Sequence, residues 1–329
     1  MRVGIVGIGA ISSLHVTALL KSEDKIVAFC DIDESKFGAM KNKFADRLDA
    51  VAEYTDYDKM LECEDLDVVH ICTPHYLHAP MICKALEKNI NVLCEKPLAI
   101  SYAQIDMIEK AVKASSAQLG VCFQNRYNPS VVRLKEFFAD KTVRAGSGSV
   151  IWERNASYYL SGEWRGKWDT EGGGVMINQA IHTLDLLQYV CGMPKSVIAH
   201  TSNNSLQGVI EVEDTAFGIF TVDSDRNFVV TATNAAKHTF VAECKFYADK
   251  HTASIAGDTL VIDGVVVEKS ELTESIGKRV WGGGHATLIS DFYDCIKSGR
   301  HFPIDFHEAK KAITLVLKMY ESQGRKIEV

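Results

Sequence analysis

The sequence predicts an α/β protein of two domains. We expect an N-terminal doubly wound parallel sheet and a C-terminal α+β domain with a largely antiparallel open sheet. Short apolar runs alternate with helix-like segments in the first 125 residues, which is typical of a parallel sheet covered on both faces. Strand-like runs dominate the remainder, with hairpin turns such as Asp263-Gly264. The predicted domains are residues 1–124 and 125–329.

Each predicted element has a local signal. The first domain has five predicted strands, which are RVGIVG, KIVAFCDID, DVVHICTP, INVLCEKP and AQLGVCFQNR. Predicted helices lie between them at about residues 10–21, 34–44, 77–87 and 102–114. The second domain begins with a helix at about 131–138, and its predicted strands are SGSVIWE, SVIAHTS, TAFGIFTV, NFVVTAT, TFVAECKFYA and TLVIDGVVVE. A buried helix containing GGGVMINQAIHTLD and two late helices, at about 286–297 and 306–323, complete the chain.

The composition excludes several classes of function. The chain has 329 residues, a net charge of −7 and no basic stripe, so nucleic acid is not an expected partner. No apolar run approaches the ~18 residues of a membrane span, and the N-terminus reads as a strand and not as a signal peptide. The nine cysteines form no C-x-x-C pair, which indicates reduced thiols and a cytoplasmic location. No cluster has metal-ligand spacing, so no catalytic metal is expected.

A dinucleotide fingerprint follows the first predicted strand. Gly7 permits a tight turn, Gly9 lets a pyrophosphate approach the backbone, and the small Ser12 takes the third position of G-x-G-x-x-G/A. Asp31 ends the second strand, near the distance expected for a carboxylate that binds ribose hydroxyls. Because a carboxylate repels a 2′-phosphate, NAD is the expected cofactor, in preference to NADP.

Polar residues at the remaining strand ends are further candidates, because ligands of open α/β sheets bind at the carboxyl ends of the strands. The full set expected to bind the cofactor is Gly7, Gly9, Ala10, Ile11, Asp31, Thr73, Pro74, His78, Glu95, Lys96 and Gln124. His78 has two interpretations at this stage, a residue of the nicotinamide pocket or a cap of the following helix.

Lys96 is the most unusual of these residues. It follows the buried run NVLC, where an ammonium group is costly unless it is paired. Desolvation or a neighbouring nicotinamide would lower its pKa, and a lysine tuned in this way shuttles protons at neutral pH. The alternative is a Glu95–Lys96 pair at a solvated strand end.

The segment GGGVMINQAIHTLD places polar residues on an otherwise apolar helix. Asn178, His182 and Asp185 have i, i+4 and i+7 spacing, which puts them on one helical face. His182 is therefore either a satisfied core histidine or an acid/base group. The spacing alone does not distinguish the two.

The motifs taken together resemble the Gfo/Idh/MocA oxidoreductases. The segments that carry the resemblance are GIVGIGAISSLH, TPHYLHA, CEKPLA, GGGVMINQAIHTLDLL and HATLISDFYDCIKSGRHFPIDFHEAKKAITLVLKMYES. The resemblance implies a Rossmann domain, an α/β domain whose open sheet mediates oligomerisation, and hydride transfer between a nicotinamide and a sugar or cyclitol carbinol. It assigns catalytic roles to Lys96 and His182. The inositol dehydrogenase branch has Asp where this chain has Asn178, which puts a carboxylate–histidine pairing at that site in doubt. Asp185, one turn later, is either the group that orients the imidazole or a structural residue.

A narrower resemblance concerns the substrate. FQNRYNPSVVRLKEF, ERNASYYLSGEWRGKWDTEGGG and GGGHATLISDFYD are similar to dehydrogenases that oxidise C3 of UDP-N-acetylamino sugars or their uronates. Arg154, Arg165 and Lys167 would meet the anionic charge, with Tyr158, Tyr159 and Trp164 as a platform for the sugar or the base. The expected substrate-binding residues are Lys96, Arg126, Tyr159, Trp164, Arg165, Asn178 and His182. The alternative for the aromatic–basic stretch is a lid or an oligomer contact.

Other functions remain open at this point. They are a dehydrogenase of a free sugar or inositol, an NAD-dependent glycosidase and a non-enzymatic NAD-binding sensor. A homodimer or homotetramer is expected, without nucleic acid or membrane partners.

Overall fold

The computed structural model describes residues 1–48, 50–269 and 283–329. Its strands are β1 (Arg2–Val6), β2 (Lys25–Cys30), β3 (Ala52–Tyr54), β4 (Val68–Ile71), β5 (Asn91–Cys94), β6 (Leu119–Val121), β7 (Val143–Ile151), β8 (Ser196–Ser202), β9 (Thr215–Thr221), β10 (Asn227–Thr233), β11 (Glu243–Ala248), β12 (His251–Ala256), β13 (Thr259–Ile262), β14 (Val265–Lys269) and β15 (Ile327–Glu328). Its α-helices are α1 (Ser12–Leu19), α2 (Ser35–Phe44), α3 (Tyr57–Cys63), α4 (His78–Glu87), α5 (Tyr102–Ala114), α6 (Pro129–Phe137), α7 (Ala156–Leu160), α8 (Ile181–Cys191), α9 (Gly284–Ser298) and α10 (Phe306–Ser322). The described residues form two units, 1–124 with 283–309, and 125–269 with 310–329.

The first unit is built on a six-stranded parallel sheet. The strand order is β3-β2-β1-β4-β5-β6. The chain moves outward from β1 to β3 and then returns to β4 on the other side of β1, so a topological switch lies between β1 and β4. The prediction of a doubly wound parallel sheet is confirmed. Strand β3 was not predicted, because a three-residue edge strand that contains Glu53 is too short to show a periodicity.

The late segment 283–309 belongs to the first unit, whereas the sequence analysis assigned it to the second domain. Close packing around Gly120 of β6 explains the difference. A Cβ at Gly120 would lie 2.9 Å from the rings of Phe292 and Phe302. Val121 N also donates to Ile304 O over 3.0 Å. Because these residues are far apart in the sequence, no local pattern reveals the contact. Gly282, which begins GGGHATLISDFYD, lies outside the described residues.

The second unit contains a nine-stranded sheet in the order β14-β13-β12-β11-β7-β10-β9-β8-β15. Its neighbouring strands are antiparallel except for the parallel pair β7 and β10. The prediction of a largely antiparallel sheet is therefore confirmed. Asp263 and Gly264 join β13 to β14 with φ values of 48° and 83°, as expected for a two-residue hairpin turn. The sequence analysis did not identify β12 or the two-residue β15.

Helix α8 packs against one face of this sheet through two glycines of β7. A Cβ at Gly148 would lie 2.5 Å from Thr183 Cγ2, and a Cβ at Gly146 would lie 2.8 Å from Cys191 Sγ. The absence of side chains at these positions lets the helix lie directly on the strand. The position of α8 is therefore set by the Gly-x-Gly spacing of β7.

The opposite face of the nine-stranded sheet carries exposed apolar side chains. Ile198, Ile219 and Val229 are directly opposite one another on β8, β9 and β10. Phe217 lies two residues before Ile219 on β9 and is 51% exposed, and Tyr247 is exposed on β11, beyond the intervening strand β7. Exposed apolar residues that are neighbours across strands are candidates for a protein–protein contact.

No helix among the described residues combines the length and the apolar character that crossing a bilayer requires.

We predict that Gly148→Val displaces α8 and lowers the thermal stability, since the added methyl groups have no space beside Thr183. The matched control is Ser147→Val, which makes a similar change on the opposite face of the same strand. Differential scanning calorimetry should show a clearly lower melting temperature for Gly148→Val alone. Equal melting temperatures for the two variants would contradict the role of Gly148 in seating α8.

Candidate dinucleotide and substrate sites

The turn between β1 and α1 has the geometry of a pyrophosphate site. Gly7 has a φ of +85°, and a Cβ there would lie 2.6 Å from the Cys72 carbonyl group, at the end of the neighbouring strand β4. A Cβ at Gly9 would meet no atom within 4 Å. Helix α1 starts at Ser12 without a side-chain cap, so no side chain of the protein occupies its N-terminal hydrogen-bonding position. The residues present therefore fit a dinucleotide phosphate.

Asp31 lies at the end of β2 and is hydrogen bonded to this turn. Its Oδ2 accepts from Ile8 N over 2.7 Å, and its Oδ1 accepts from Asp33 N over 3.0 Å. Lys36 Nζ lies 3.0 Å from Oδ1 and forms an ion pair with the carboxylate. The carboxylate thus stands beside the glycine turn, where it can accept from ribose hydroxyls. Lys36 offsets part of the negative charge that disfavours a 2′-phosphate.

His78 joins the loops that follow β4 and β5. Its Nδ1 is 2.7 Å from Pro97 O, and its Nε2 is 2.9 Å from Thr73 O. Burial lowers the pKa of His78, although the two carbonyl oxygens favour the protonated ring. The side chain is fully buried, whereas Thr73 and Pro74 remain partly accessible. His78 therefore connects the two loops through hydrogen bonds in the protein interior.

Lys96 is the accessible residue of the buried segment that includes the end of β5. Every other residue from Val92 to Ala99 is buried, and only Lys96 is partly exposed. The Lys96-Pro97 peptide bond is cis. Glu95 Oε2 accepts from Lys96 N over 3.2 Å, so the buried carboxylate contacts the backbone of the exposed lysine.

A buried chain of hydrogen bonds holds the Glu95 carboxylate. Its Oε1 lies 3.1 Å from His15 Nε2 and 3.3 Å from His285 Nε2. His15 Nδ1 is 2.8 Å from His70 Nδ1, and His70 Nε2 is 2.9 Å from Tyr293 OH. A protonated His15 satisfies this geometry, because it donates to Glu95 and to His70, and His70 then donates to Tyr293.

The protonation states of the residues in this hydrogen-bonded network follow from the same contacts. Burial raises the pKa of Glu95, but hydrogen bonds from His15 and His285 outweigh it and hold that pKa well below its usual range. Burial lowers the pKa of His15, but the neighbouring Cys72 and Glu95 outweigh it and raise the value to about 9. Burial also raises the pKa of the Cys72 thiol, so Glu95 is the anion beside His15 near neutral pH.

Three side chains of metal-binding type meet at this point, although no spacing in the sequence suggested it. Ligand atoms of His15, Glu95 and Cys122 all lie within 4.8 Å of one another. The His15–Glu95 hydrogen bond already accounts for their approach. Burial raises the pKa of the Cys122 thiol well above its ordinary value, so the thiol keeps its proton in the ligand-free protein. The contacts therefore describe a hydrogen-bonded cluster.

Gln124 follows the last parallel strand, and its Oε1 is buried without a hydrogen-bond partner among the described residues. An orphaned acceptor of this kind is uncommon in folded proteins. The side-chain oxygen can accept a hydrogen bond from a bound ligand. Gln124 thus suits the predicted cofactor role.

In the second unit, Glu213 anchors the glycine-rich segment that precedes α8. Its carboxylate accepts from Gly174 N over 2.8 Å, from Met176 N over 3.0 Å and from Tyr320 OH over 2.9 Å. Burial raises the pKa of Glu213 to about 7 despite these donors. A Cβ at Gly174 would lie 1.8 Å from Glu213 O, so only glycine fits there.

The anchored segment continues as a π-helical turn, Met176–Ala180, which runs into α8. Turns of this type occur often at functional sites. From residue 171 to residue 188, only Asn178 and His182 are partly accessible and every other residue is buried. The two side chains of the predicted stripe therefore reach a surface, and Asp185 does not.

Asp185 forms a buried ion pair with Arg126. The guanidinium contacts the carboxylate through two bonds, Nε to Oδ2 at 2.8 Å and Nη2 to Oδ1 at 2.5 Å. The Arg126 guanidinium also lies 4.2 Å from the Tyr189 ring centre. Arg126 was expected to bind substrate, and the structure places it, 8% exposed, against α8.

Asn178 is paired with a carboxylate that the sequence analysis did not identify. Its Nδ2 donates to Glu171 Oε1 over 2.5 Å, and the other Glu171 oxygen accepts from Gly166 N, also over 2.5 Å. Glu171 is 1% exposed. The carboxylate at this place in the second unit thus comes from position 171, seven residues before Asn178.

Two arginines enclose the ring of Tyr158. The guanidinium carbons of Arg154 and Arg165 lie 4.9 Å and 4.5 Å from its centre, and Arg165 Nη1 donates to its hydroxyl over 2.7 Å. Arg165 also stacks on Trp164 at 4.5 Å. In the described parts of the chain, the partners of the two guanidiniums are aromatic rings, the Glu153 carbonyl oxygen and the Tyr158 hydroxyl. The cluster therefore presents positive charge held by aromatic rings.

Tyr159, the other predicted platform residue, lies in a small core. It is 3% exposed and packs with Leu206, Ile210 and Val212. Its hydroxyl accepts from Asn234 Nδ2 over 2.8 Å. The adjacent Tyr158 faces the arginines instead, because successive positions of the short helix α7 point in different directions.

Several buried polar residues of these sites carried no usable signal in the sequence. They are His15, His70, Tyr293, Glu171, Gln179, Glu213 and Asn234. Each contacts its partner across elements that are remote in the chain or in irregular loops. Only the position of Glu171 immediately before three glycines offered a local hint.

The geometry of the first unit defines a dinucleotide-binding Rossmann domain, and comparison with known families agrees. Residues 1–123 match the family model described as "Oxidoreductase family, NAD-binding Rossmann fold". Residues 142–256 match the model of the GFO/IDH/MocA C-terminal domain. The chain belongs to the Gfo/Idh/MocA family, and its cofactor is NAD.

Individual proteins are similar over different extents. Myo-inositol 2-dehydrogenase of Thermotoga maritima is 26% identical over 58% of this chain and 55% of its own length. The chain spans about half the length of the first curated relatives that it matches. The 2,7-anhydro-N-acetylneuraminate hydratase of Mediterraneibacter gnavus is 26% identical over 93% of this chain and 82% of its own length. The WlbA dehydrogenase of Chromobacterium violaceum, crystallised with NADH and UDP-GlcNAcA, is 26% identical with a TM-score of 0.86, covering 100% of this chain and 96% of that one.

Proposed function

We propose that this protein is an NAD-dependent dehydrogenase that oxidises a carbinol carbon of a sugar, and that the sugar is a UDP-N-acetylamino sugar or its uronate, reacting at C3. The observation that favours an anionic substrate is the Arg154–Tyr158–Arg165 cluster, in which two guanidiniums lie against an aromatic ring. Diphosphate and carboxylate groups are the ligands that such guanidiniums bind best. The similarity to WlbA supports the same substrate class.

Lys96 and His182 are the proposed acid/base groups. Each is the accessible ionisable residue of an otherwise buried segment, which suits a group that must meet a substrate while its backbone stays fixed. His182 takes the proton of the substrate hydroxyl, and the Lys96 ammonium stabilises the developing alkoxide. The bound nicotinamide supplies the hydride acceptor. The buried Glu95 carboxylate fixes the Lys96 backbone from below.

The other proposed contacts divide between the two units. In the first unit, the residues proposed to form the dinucleotide site are Gly7, Gly9, Ala10, Ile11, Asp31, Thr73, Pro74, His78, Glu95, Lys96 and Gln124. Of these, the buried His78 and Glu95 contribute by holding the loops around the site in place. In the second unit, Asn178, Trp164 and Arg165 contact the sugar nucleotide, and Tyr158 supports them. We propose that Arg126 and Tyr159 contribute by holding α8 and α7 in place, since both are buried.

A neutral cyclitol or free sugar is the second candidate substrate. The similarity to myo-inositol 2-dehydrogenase favours it, although that match covers only 58% of this chain. A spectrophotometric panel at 340 nm separates the candidates. Net NADH formation with UDP-sugars supports the first proposal, and formation with inositols alone replaces it with the second. Glycoside cleavage without NADH would indicate a hydrolase, and NAD binding without any turnover would indicate a sensor.

We predict that Lys96→Ala and His182→Ala each lower kcat by at least ~100-fold, because one removes the charge that stabilises the alkoxide and the other removes the base. Steady-state assays with the substrate identified by the panel measure the effect. The exposed residues Lys88 and His238 provide matched controls, and Lys88→Ala and His238→Ala should keep the wild-type kcat. Near-normal turnover by either active-site variant would remove its residue from the mechanism.

We predict that Arg154→Gln and Arg165→Gln raise KM for anionic UDP-sugars by roughly 10-fold or more each, as expected for the loss of a charge-assisted hydrogen bond. KM for NAD and for a neutral cyclitol should stay unchanged. Arg133→Gln, at an exposed position of α6, controls for the loss of positive charge alone. An equal rise in KM for neutral and anionic sugars would show that the arginine cluster does not discriminate between substrates by their charge.

We propose that the exposed apolar face of the nine-stranded sheet meets a second copy of the chain in a homodimer or homotetramer. Ile198, Phe217, Ile219, Val229 and Tyr247 form this face. Ile219→Lys would place a charge in the centre of the patch, and light scattering should then report a smaller assembly than for the wild type. An unchanged mass would place the subunit contact elsewhere.

A further inference from the structure

We propose that Glu171 determines substrate specificity by positioning Asn178, and that residues 171 and 178 form one functional pair with a single carboxylate. The proposal rests on the function proposed above, in which Asn178 contacts the sugar. It concerns the second unit only. Its starting point is the 2.5 Å hydrogen bond from Asn178 Nδ2 to Glu171 Oε1.

The pair fixes the orientation of the Asn178 amide. A planar amide that points its Nδ2 at Glu171 turns its Oδ1 away from Glu171. Asn178 is partly accessible, whereas Glu171 is 1% exposed. The carboxylate therefore fixes which end of the Asn178 amide faces Glu171 and Tyr158, and with it the polarity of the side chain that is proposed to contact the sugar. Without the carboxylate, the amide could adopt either orientation.

Glu171 also connects Asn178 to the arginine cluster. Its second oxygen accepts from Gly166 N over 2.5 Å, which fixes the backbone next to Arg165. Tyr158 OH lies 3.4 Å from Asn178 Nδ2 and 2.7 Å from Arg165 Nη1. The Glu171 carboxylate thus positions two residues that are proposed to contact the substrate. It orients Asn178, which is proposed to contact the sugar, and it fixes the backbone beside Arg165, which is proposed to bind the anionic part.

An aspartate at position 178 is incompatible with this arrangement. Its carboxylate oxygen would replace the Asn178 donor and stand against Glu171 Oε1 at a separation near 2.5 Å. Two carboxylates at such a distance cannot both ionise, so one must take up a proton or move away. The Asn at position 178 follows from the Glu at position 171, and exchanging both residues should preserve the contact with its polarity reversed.

The test is a double-mutant cycle of four proteins: wild type, Glu171→Gln, Asn178→Asp and the exchanged variant with both substitutions. We expect Asn178→Asp to lower kcat/KM for the UDP-sugar by roughly 10- to 100-fold and Glu171→Gln to lower it by about 10-fold. The exchanged variant should exceed Asn178→Asp by at least about 5-fold, because the hydrogen bond re-forms. Asn227→Asp, at an exposed position of β10, controls for the chemical change itself.

Three further measurements separate positioning from a general structural role. KM for NAD should be the same in all four proteins. The Asn178→Asp defect should lessen as the pH falls, since protonation of one carboxyl relieves the repulsion, and Asn227→Asp should show no such dependence. Melting temperatures of the ligand-free proteins should show the same coupling, with the exchanged variant more stable than Asn178→Asp.

The experiment distinguishes a failure of the Glu171–Asn178 pairing from a failure of the proposed function. A wild-type protein that forms no NADH with any sugar of the panel would overturn the proposed function, and the melting temperatures would still report whether positions 171 and 178 are coupled. An exchanged variant no better than Asn178→Asp in both kcat/KM and melting temperature would overturn the pairing. Coupling in stability without any effect on kcat/KM would overturn the specificity role of Glu171.

Discussion

The buried Glu213 carboxylate is the contact on which the second unit depends. It holds Gly174 N, Met176 N and Tyr320 OH, and so it ties the glycine-rich segment to helix α10. The close approach tolerates no side chain at Gly174. Because the glycine segment starts the π-helical turn, the same contact sets the direction of Asn178 and His182. Among the described residues the partners of this carboxylate are two amides and a hydroxyl, and these three donors offset part of the cost of burying it.

In the first unit, Glu95 is likewise a buried carboxylate that is hydrogen bonded to the backbone near a candidate catalytic residue. A buried carboxylate accepts from two histidines on one oxygen and from the Lys96 backbone on the other. In both units, one exposed ionisable residue stands in a buried segment whose backbone is held by a buried acid. A group that performs acid/base chemistry needs a fixed position and access to the substrate, and this arrangement supplies both requirements.

Small residues place the helices that carry the sites. Gly148 lets α8 lie against β7, and Gly7 lets the dinucleotide turn pass within van der Waals distance of the end of β4. Gly9 has a different role, since the space above it is open. A glycine motif can therefore reflect close backbone packing or room for a ligand. The sequence does not distinguish these two requirements, whereas the structure assigns the first to Gly7 and the second to Gly9.

The sequence by itself determined the fold class, the two sheets, the NAD fingerprint and the candidates Lys96 and His182. These follow from local patterns, namely apolar periodicity, glycine spacing and charged residues at strand ends. Tertiary structure alone decided that Glu171 partners Asn178, that Asp185 pairs with Arg126, and that Tyr158 and not Tyr159 meets the arginines. It also placed segment 283–309 in the first unit. The physical reason is that buried hydrogen bonds and ion pairs join groups according to distance in space, which sequence spacing does not encode.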